Sequence, residues 1–280
     1  MNFYSLLFLL FLGIALVLLI LYKLLLGRTA PKLTHGDLLK ALSNYPNNHK
    51  SEGCEKVQPT TTMSKEDVDK ISKSFEKGMD FQWLSDENMY NTSKPMASFV
   101  VTMSTNVGLK YGHVLELRDD QDQLQGYASL AHPGHSFKDL QYFSAMGFKK
   151  PFYTSKKAKK EGWGEIIASR MDEFAKISRE FHDREFKNKK HWYILIFGVV
   201  GSAQGKGIGK KLLDCVCALA YESGHPIYLE CHDGNVSYYE KRGFRKLGVM
   251  KLKKVKKKGF SEIKEANVNG MIWENKKKTD

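Results

Sequence analysis

Two blocks of this 280-residue chain have the residue types and spacing to do chemistry. The first is Gln204-Gly-Lys-Gly-Ile-Gly209. It follows the apolar run Tyr193 to Val200 and leads into a segment with Ile208, Leu212, Val216, Leu219 and Ala220 on one helical face. Strand, glycine-rich turn and helix start is an arrangement that holds phosphate. The first-turn N–H groups have no intrahelical acceptor, the helix dipole adds roughly half a positive charge, and glycine lets the backbone come close. The second block is Asn235-Val-Ser-Tyr-Tyr-Glu-Lys-Arg-Gly-Phe244, a short helix with two phenols after a second strand. At that strand end, Glu230, His232 and Asp233 are the groups that could accept a proton.

The first block alone also suits a dinucleotide or nucleoside-triphosphate loop. The P-loop spelling is absent, however, and in the dinucleotide spelling the last glycine would fall on Lys210. The two blocks together resemble the GNAT superfamily of acyl-CoA-dependent N-acetyltransferases. Gln204 to Gly209 is similar to that family's Q/R-x-x-G-x-G/A pyrophosphate loop, and Asn235 to Phe244 to its N-x-x-x-Y-E-K-x-G-F segment. The match is strongest over 191–248 and weaker back to residue 57.

The resemblance implies an α/β (α+β) fold of three layers, with a central mixed, splayed sheet flanked by helices. It implies acetyl-CoA as co-substrate and transfer of its acetyl group to a primary amine of a small molecule or protein, by direct attack in a ternary complex. Gln204, Gly205, Lys206, Gly207, Ile208, Gly209 and Lys210 would form the pyrophosphate cradle. The backbone of Phe197, Gly198 and Val199 would pair with the pantetheine arm and polarise the thioester carbonyl. Asn235 would hold the pantetheine or the strand opening, and Tyr239 would protonate the departing thiolate. The run Tyr193–Val200 lacks the acidic residue that some relatives carry as base, so Glu230, His232 or Asp233 would take the amine proton, directly or through water, with Glu230 the candidate and an internal salt bridge its alternative task. Gly201 stands where many relatives have proline. The alternatives are a membrane-tethered acyl-CoA-binding module without turnover, or an enzyme of this type using another acyl-CoA.

The elements that must position these blocks follow from periodicity. Val57 to Thr61 reads as a first strand, and Ser64 to Asp67 as a capping box opening a helix with Val68, Ile71 and Phe75 on one face. Met96 to Leu109 fits a helix, although Val100 to Thr102 also suits a strand. His113–Leu117 and Leu124–Leu130 read as a hairpin around a solvated acidic turn. Ser136 to Gly162 is irregular and lysine-rich. Glu165 to Phe186 is a surface helix, and Lys246–Leu252 with Asn269–Glu274 is a final strand pair.

Before residue 57 the chain looks different. Phe3 to Tyr22 has no charged residue, and twenty helical residues span about 30 Å, the thickness of a bilayer core. We expect a single transmembrane anchor over 1–27, a polar tether with a short helix near Asp37–Ser43 over 28–56, and the transferase domain over 57–280. Lys23, Arg28 and Lys32 follow the span, which places the domain on the cytosolic side. The net charge of +13 and the lysines from Lys251 to Lys258 suit an anionic lipid surface as partner. Nucleic acid is disfavoured, because stacking aromatics are not interleaved with the basic residues. Cys54, Cys215, Cys217 and Cys231 read as reduced thiols. No His or Cys cluster has metal-ligand spacing, so no metal is expected.

Overall fold

The computed structural model describes residues 29–46, 50–75, 93–133, 150–187, 189–252 and 265–274. Among them, seven strands form one sheet: β1 (Gln58–Thr60), β2 (Gly112–Arg118), β3 (Leu124–Ala131), β4 (Trp192–Val199), β5 (Ile227–His232), β6 (Arg245–Leu252) and β7 (Ala266–Trp273). Their spatial order is β1-β2-β3-β4-β5-β7-β6. The central β4–β5 pair is parallel and the other neighbours are antiparallel. The expected mixed sheet is therefore present, with β7 inserted between β5 and β6.

The splay has a definite place. The β4–β5 pairing stops after Trp192, Tyr193 and Ile194 meet Ile227, Tyr228 and Leu229. Beyond that, β4 stays with β3 and β5 stays with β7. Leu195 is an extra residue in β4, since Ser129 faces Ile196 while Leu130 faces Ile194. Such a bulge bends its strand and raises the local twist. The sheet thus opens at the residue where β4 bulges.

Helices cover both faces, which makes three layers. On one side lie α2 (Lys65–Phe75), α3 (Ser93–Tyr111) and α5 (Gly164–Phe186), with Ile71, Val101, Ile167 and Phe181 buried against the sheet. Val100 to Thr102 are helical, which settles that ambiguity. On the other side lie α6 (Ile208–Ser223) and α7 (Asp233–Glu240), with Leu212, Val216 and Tyr239 buried. Ser64 Oγ accepts from the Asp67 amide at 3.0 Å, and Asp67 also accepts from Arg118 at 2.8 Å, tying the start of α2 to β2.

Two sequence expectations need correction. The segment 28–56 is not merely a tether. It contains α1 (His35–Asn44), opened by a reciprocal Thr34–Asp37 capping box, and Leu38, Ala41, Leu42 and Tyr45 are buried in the core shared with α6. Cys54 and Val57 join them, so the folded body begins well before residue 57. The stretch 150–162 is not irregular either. Phe152–Thr154 is a 3₁₀ turn, and α4 (Lys156–Glu161) is capped by Ser155 and buries Ala158 with its lysines outward. The candidate span 3–22 and most of the lysine run after Leu252 lie outside the described residues. Among the described residues, no helix is long and apolar enough to cross a membrane.

The edge of the sheet carries a sharp packing constraint. Gly248 and Gly270 face the Phe181 ring of α5, and a Cβ on Gly270 would collide with that ring. Gly270→Val is therefore expected to destabilise the fold by about 1–3 kcal/mol through overpacking. In thermal melts the midpoint should fall; an unchanged midpoint would show that Phe181 has an alternative seat.

Candidate functional site

After β4 the chain makes a 3₁₀ turn over Gly201–Ala203 and reaches Gly205 and Gly207, both in the left-handed region at φ 78° and 77°. Side chains resist that conformation, so glycine is required here by the backbone. Among the described residues, a Cβ at either position would meet nothing within 4 Å. Gly207 is the N-cap of α6, and no side chain caps this helix. The first backbone bond is donated by Lys211 to Gly207 O, which leaves the amides of Ile208, Gly209 and Lys210 at an uncapped positive helix end. This geometry suits an anion.

The two lysines of the loop differ. Lys206 is exposed. The Lys210 ammonium instead lies 3.2 Å from Asp214 Oδ2 and donates to Ser51 Oγ, while the Ser51 amide donates to the same carboxylate at 2.9 Å. Lys210 can offer its amide to a ligand, but its charge is engaged in fastening residue 51 to α6.

The open edge of β4 follows from register. The Val200 amide donates to Gln125 O, and Gly198 pairs with Tyr127. Alternation then turns the N–H and C=O of Gly198 toward β3, and those of Phe197 and Val199 toward the gap left by β5. Gln204 Nε2 donates to Val199 O at 3.3 Å, covering that carbonyl. Gly198, expected at the ligand, turns its backbone to β3 and packs closely on α2. A Cβ there would come within 2.9 Å of Phe75 and 3.2 Å of Ile71 on α2.

β5 presents side chains to both faces of the gap. Tyr228 and Glu230 project toward α5, where Glu230 Oε1 accepts from Ser178 Oγ at 2.6 Å and from the Tyr228 hydroxyl at 2.8 Å. Leu229 and Cys231 project into the core under α6 and α7. The other two proton acceptors expected from sequence have structural tasks. His232 caps α7, accepting from the Gly234 amide at 3.1 Å. Asp233 accepts from Asn269 at 2.8 Å and Asn267 at 3.1 Å, and these bonds hold its carboxyl below the usual range. Asn235 is exposed in the first turn of α7.

The two phenols of α7 point in different directions. Tyr239 is only 6% exposed and packs edge-on against Phe244 and Tyr238. Burial pushes its pKa well above the ordinary phenol value, with the nearby Cys231 thiol adding to the shift. Tyr238 is half-buried, and its hydroxyl lies 2.7 Å from where a Gly209 Cβ would be. The Arg242 guanidinium sits 3.6 Å from the Tyr238 ring centre. Sequence reasoning favoured Tyr239 and gave Tyr238 no task of its own. The available signal was helical geometry: residues i and i+4, here Tyr238 and Arg242, share a face.

Tyr239 and Glu230 therefore belong to opposite faces of the sheet, on either side of the opening where β4 and β5 part. Among the described residues, no group of three or more His, Cys, Asp or Glu side chains could hold a metal.

Residues 110–244 match the model of the Acetyltransferase (GNAT) family. An uncharacterized N-acetyltransferase of Schizosaccharomyces pombe is 28% identical over 135 residues, covering 48% of this chain and 51% of its own length. The chain thus spans about half the length of this curated relative. A structure described as histone acetyltransferase HPA2 and related acetyltransferase, from Corynebacterium glutamicum, is 18% identical with a TM-score of 0.43, over 80% of this chain and 98% of that one. Arylalkylamine N-acetyltransferase 2 from Aedes aegypti is 14% identical with a TM-score of 0.45, over 77% of this chain and 97% of that one.

Proposed function

Residues 110–244 belong to the GNAT acetyltransferase family, and on that premise we propose that the chain moves an acetyl group from acetyl-CoA to a primary amine. The observation that carries this reading is the uncapped start of α6 beside the open β4 edge, one binding phosphate and the other an extended amide-bearing arm. The amides of Ile208, Gly209 and Lys210 hold the pyrophosphate. Phe197 and Val199 pair with the pantetheine, and the Phe197 amide polarises the thioester carbonyl.

The amine enters from the α5 face of the gap. Its nitrogen forms the new bond to the carbonyl carbon and its proton passes to Glu230, directly or through water. The carbon–sulfur bond breaks, and the thiolate takes a proton from Tyr239 on the opposite face. Ser178 and Tyr228 hold Glu230 in place through the bonds they donate. Residues 3–22 we assign to a membrane anchor that leaves the domain in the cytosol, on sequence alone.

The test is to incubate the full chain, in detergent, with acetyl-CoA and a panel of amines and peptides, and to follow free thiol. Amine-dependent thiol release supports the reading. CoA binding without thiol release across the panel would point instead to a binding module. Glu230→Gln should lower kcat about 100-fold, within the usual range for a general base, with CoA affinity unchanged. Full turnover in that variant would remove Glu230 from the mechanism.

A further inference from the structure

Among the described residues, the Tyr238 hydroxyl oxygen is shielded from solvent and has no hydrogen-bond partner, and the Nε of Arg242 is in the same condition. A buried donor left unmatched is costly in a folded chain. Both groups lie at one place. The position a Gly209 Cβ would occupy is 2.7 Å from Tyr238 Oη, 3.4 Å from Val199 Cγ2 and 3.7 Å from Phe197 Cε1. The phenol oxygen thus fills the corner where the first turn of α6 meets the side chains of Phe197 and Val199, the two β4 residues whose backbone faces the gap. Arg242 stacks over the ring and donates from Nη1 to Tyr238 O at 2.7 Å, which fixes the phenol and brings a cation beside it. A ligand that engages both the α6 amides and the β4 edge passes this corner.

We infer that Tyr238 and Arg242 are the side-chain wall of the acyl-CoA site, the phenol donating a hydrogen bond to a phosphate oxygen held by the α6 amides and the guanidinium adding its charge. This rests on the acyl-CoA reading above. It also explains why Gly209 lacks a side chain although its φ is not left-handed: any Cβ would press on the Tyr238 hydroxyl. The Lys210 ammonium is engaged by Asp214, so Arg242 supplies positive charge at this corner in its place.

The experiment is calorimetric titration of CoA into the full chain and into Tyr238→Phe and Arg242→Gln, with thermal melts of each protein without ligand. Loss of a hydrogen bond to a charged oxygen should weaken CoA binding about 10-fold or more in Tyr238→Phe. The ligand-free melting midpoint should hold or rise, because the variant removes an unmatched buried hydroxyl and keeps the ring. Arg242→Gln should weaken binding and flatten its dependence on salt. Undiminished CoA affinity in Tyr238→Phe, or weaker binding accompanied by a lower midpoint, would overturn the inference and make the phenol a packing group. If the unaltered chain binds no CoA, the acyl-CoA reading falls and this inference with it, a result distinct from the other two.

Discussion

Replacing Gly207 by valine is expected to weaken CoA binding about 100-fold. The residue stands at φ 77°, and a β-branched side chain must leave that region or bear strain of about 1–2 kcal/mol. If the turn relaxes, the amides of Ile208 to Lys210 no longer converge. Each hydrogen bond to a charged oxygen contributes about 1.5–3 kcal/mol, so loss of one or two accounts for the figure. The fold should lose no more than that strain, since among the described residues a Cβ at Gly207 meets nothing within 4 Å. Calorimetric titration with a parallel melt separates the two effects. Unaltered affinity would sink the assignment of this loop to phosphate.

The second large effect is expected at Tyr239. Tyr239→Phe should lower kcat about 100-fold or more while leaving KM for acetyl-CoA near its original value, because the hydroxyl acts on the leaving sulfur. The ring contacts with Phe244 and Tyr238 survive the change. Burial raises the Tyr239 pKa, so the phenol stays protonated through the neutral range, and no alkaline loss of rate from this group is expected below about pH 10. Steady-state rates from pH 6 to 10 for both proteins check each statement. A variant with full kcat would transfer the acid role elsewhere, and Tyr238 would then be the first group to examine.

Much of this site is visible in local sequence. β4, the glycine turn, α6, β5 and α7 each follow from short-range rules: an apolar run, glycines at left-handed positions, a 3.6-residue stripe and a cap. Contacts between distant segments were less legible. The Lys210–Asp214 pair has the i, i+4 spacing of helical neighbours, but Ser51 meets the same carboxylate across 163 positions, and no local rule brings it there. Leu38, Ala41, Leu42 and Tyr45 have the i, i+3, i+4, i+7 spacing of a helix face, but the core they join, shared with α6, comes from segments far along the chain. Gly198 was assigned to the ligand through the resemblance, as part of the strand backbone from Phe197 to Val199. Its actual neighbour, the Phe75 ring, lies on a helix more than a hundred residues earlier. Likewise the gap itself depends on a bulge at Leu195, which appears only when β3 and β4 are paired.

The opposite placement of Glu230 and Tyr239 sharpens the mechanism beyond what their positions in sequence allow. Glu230 and Tyr239 lie on different sides of β5, so on the proposed roles the amine and the sulfur occupy opposite ends of one opening. An acceptor approaching from the α6 face would meet the buried Leu229 and Cys231 instead.

Hydrogen–deuterium exchange of the full chain with and without CoA tests the central claim most directly. Protection is expected at residues 197, 199 and 208–210, whose amides are assigned to the ligand, with Gly198 already slow because it is paired with β3. Binding of CoA that leaves the exchange of 197–199 and 208–210 unchanged would contradict the account.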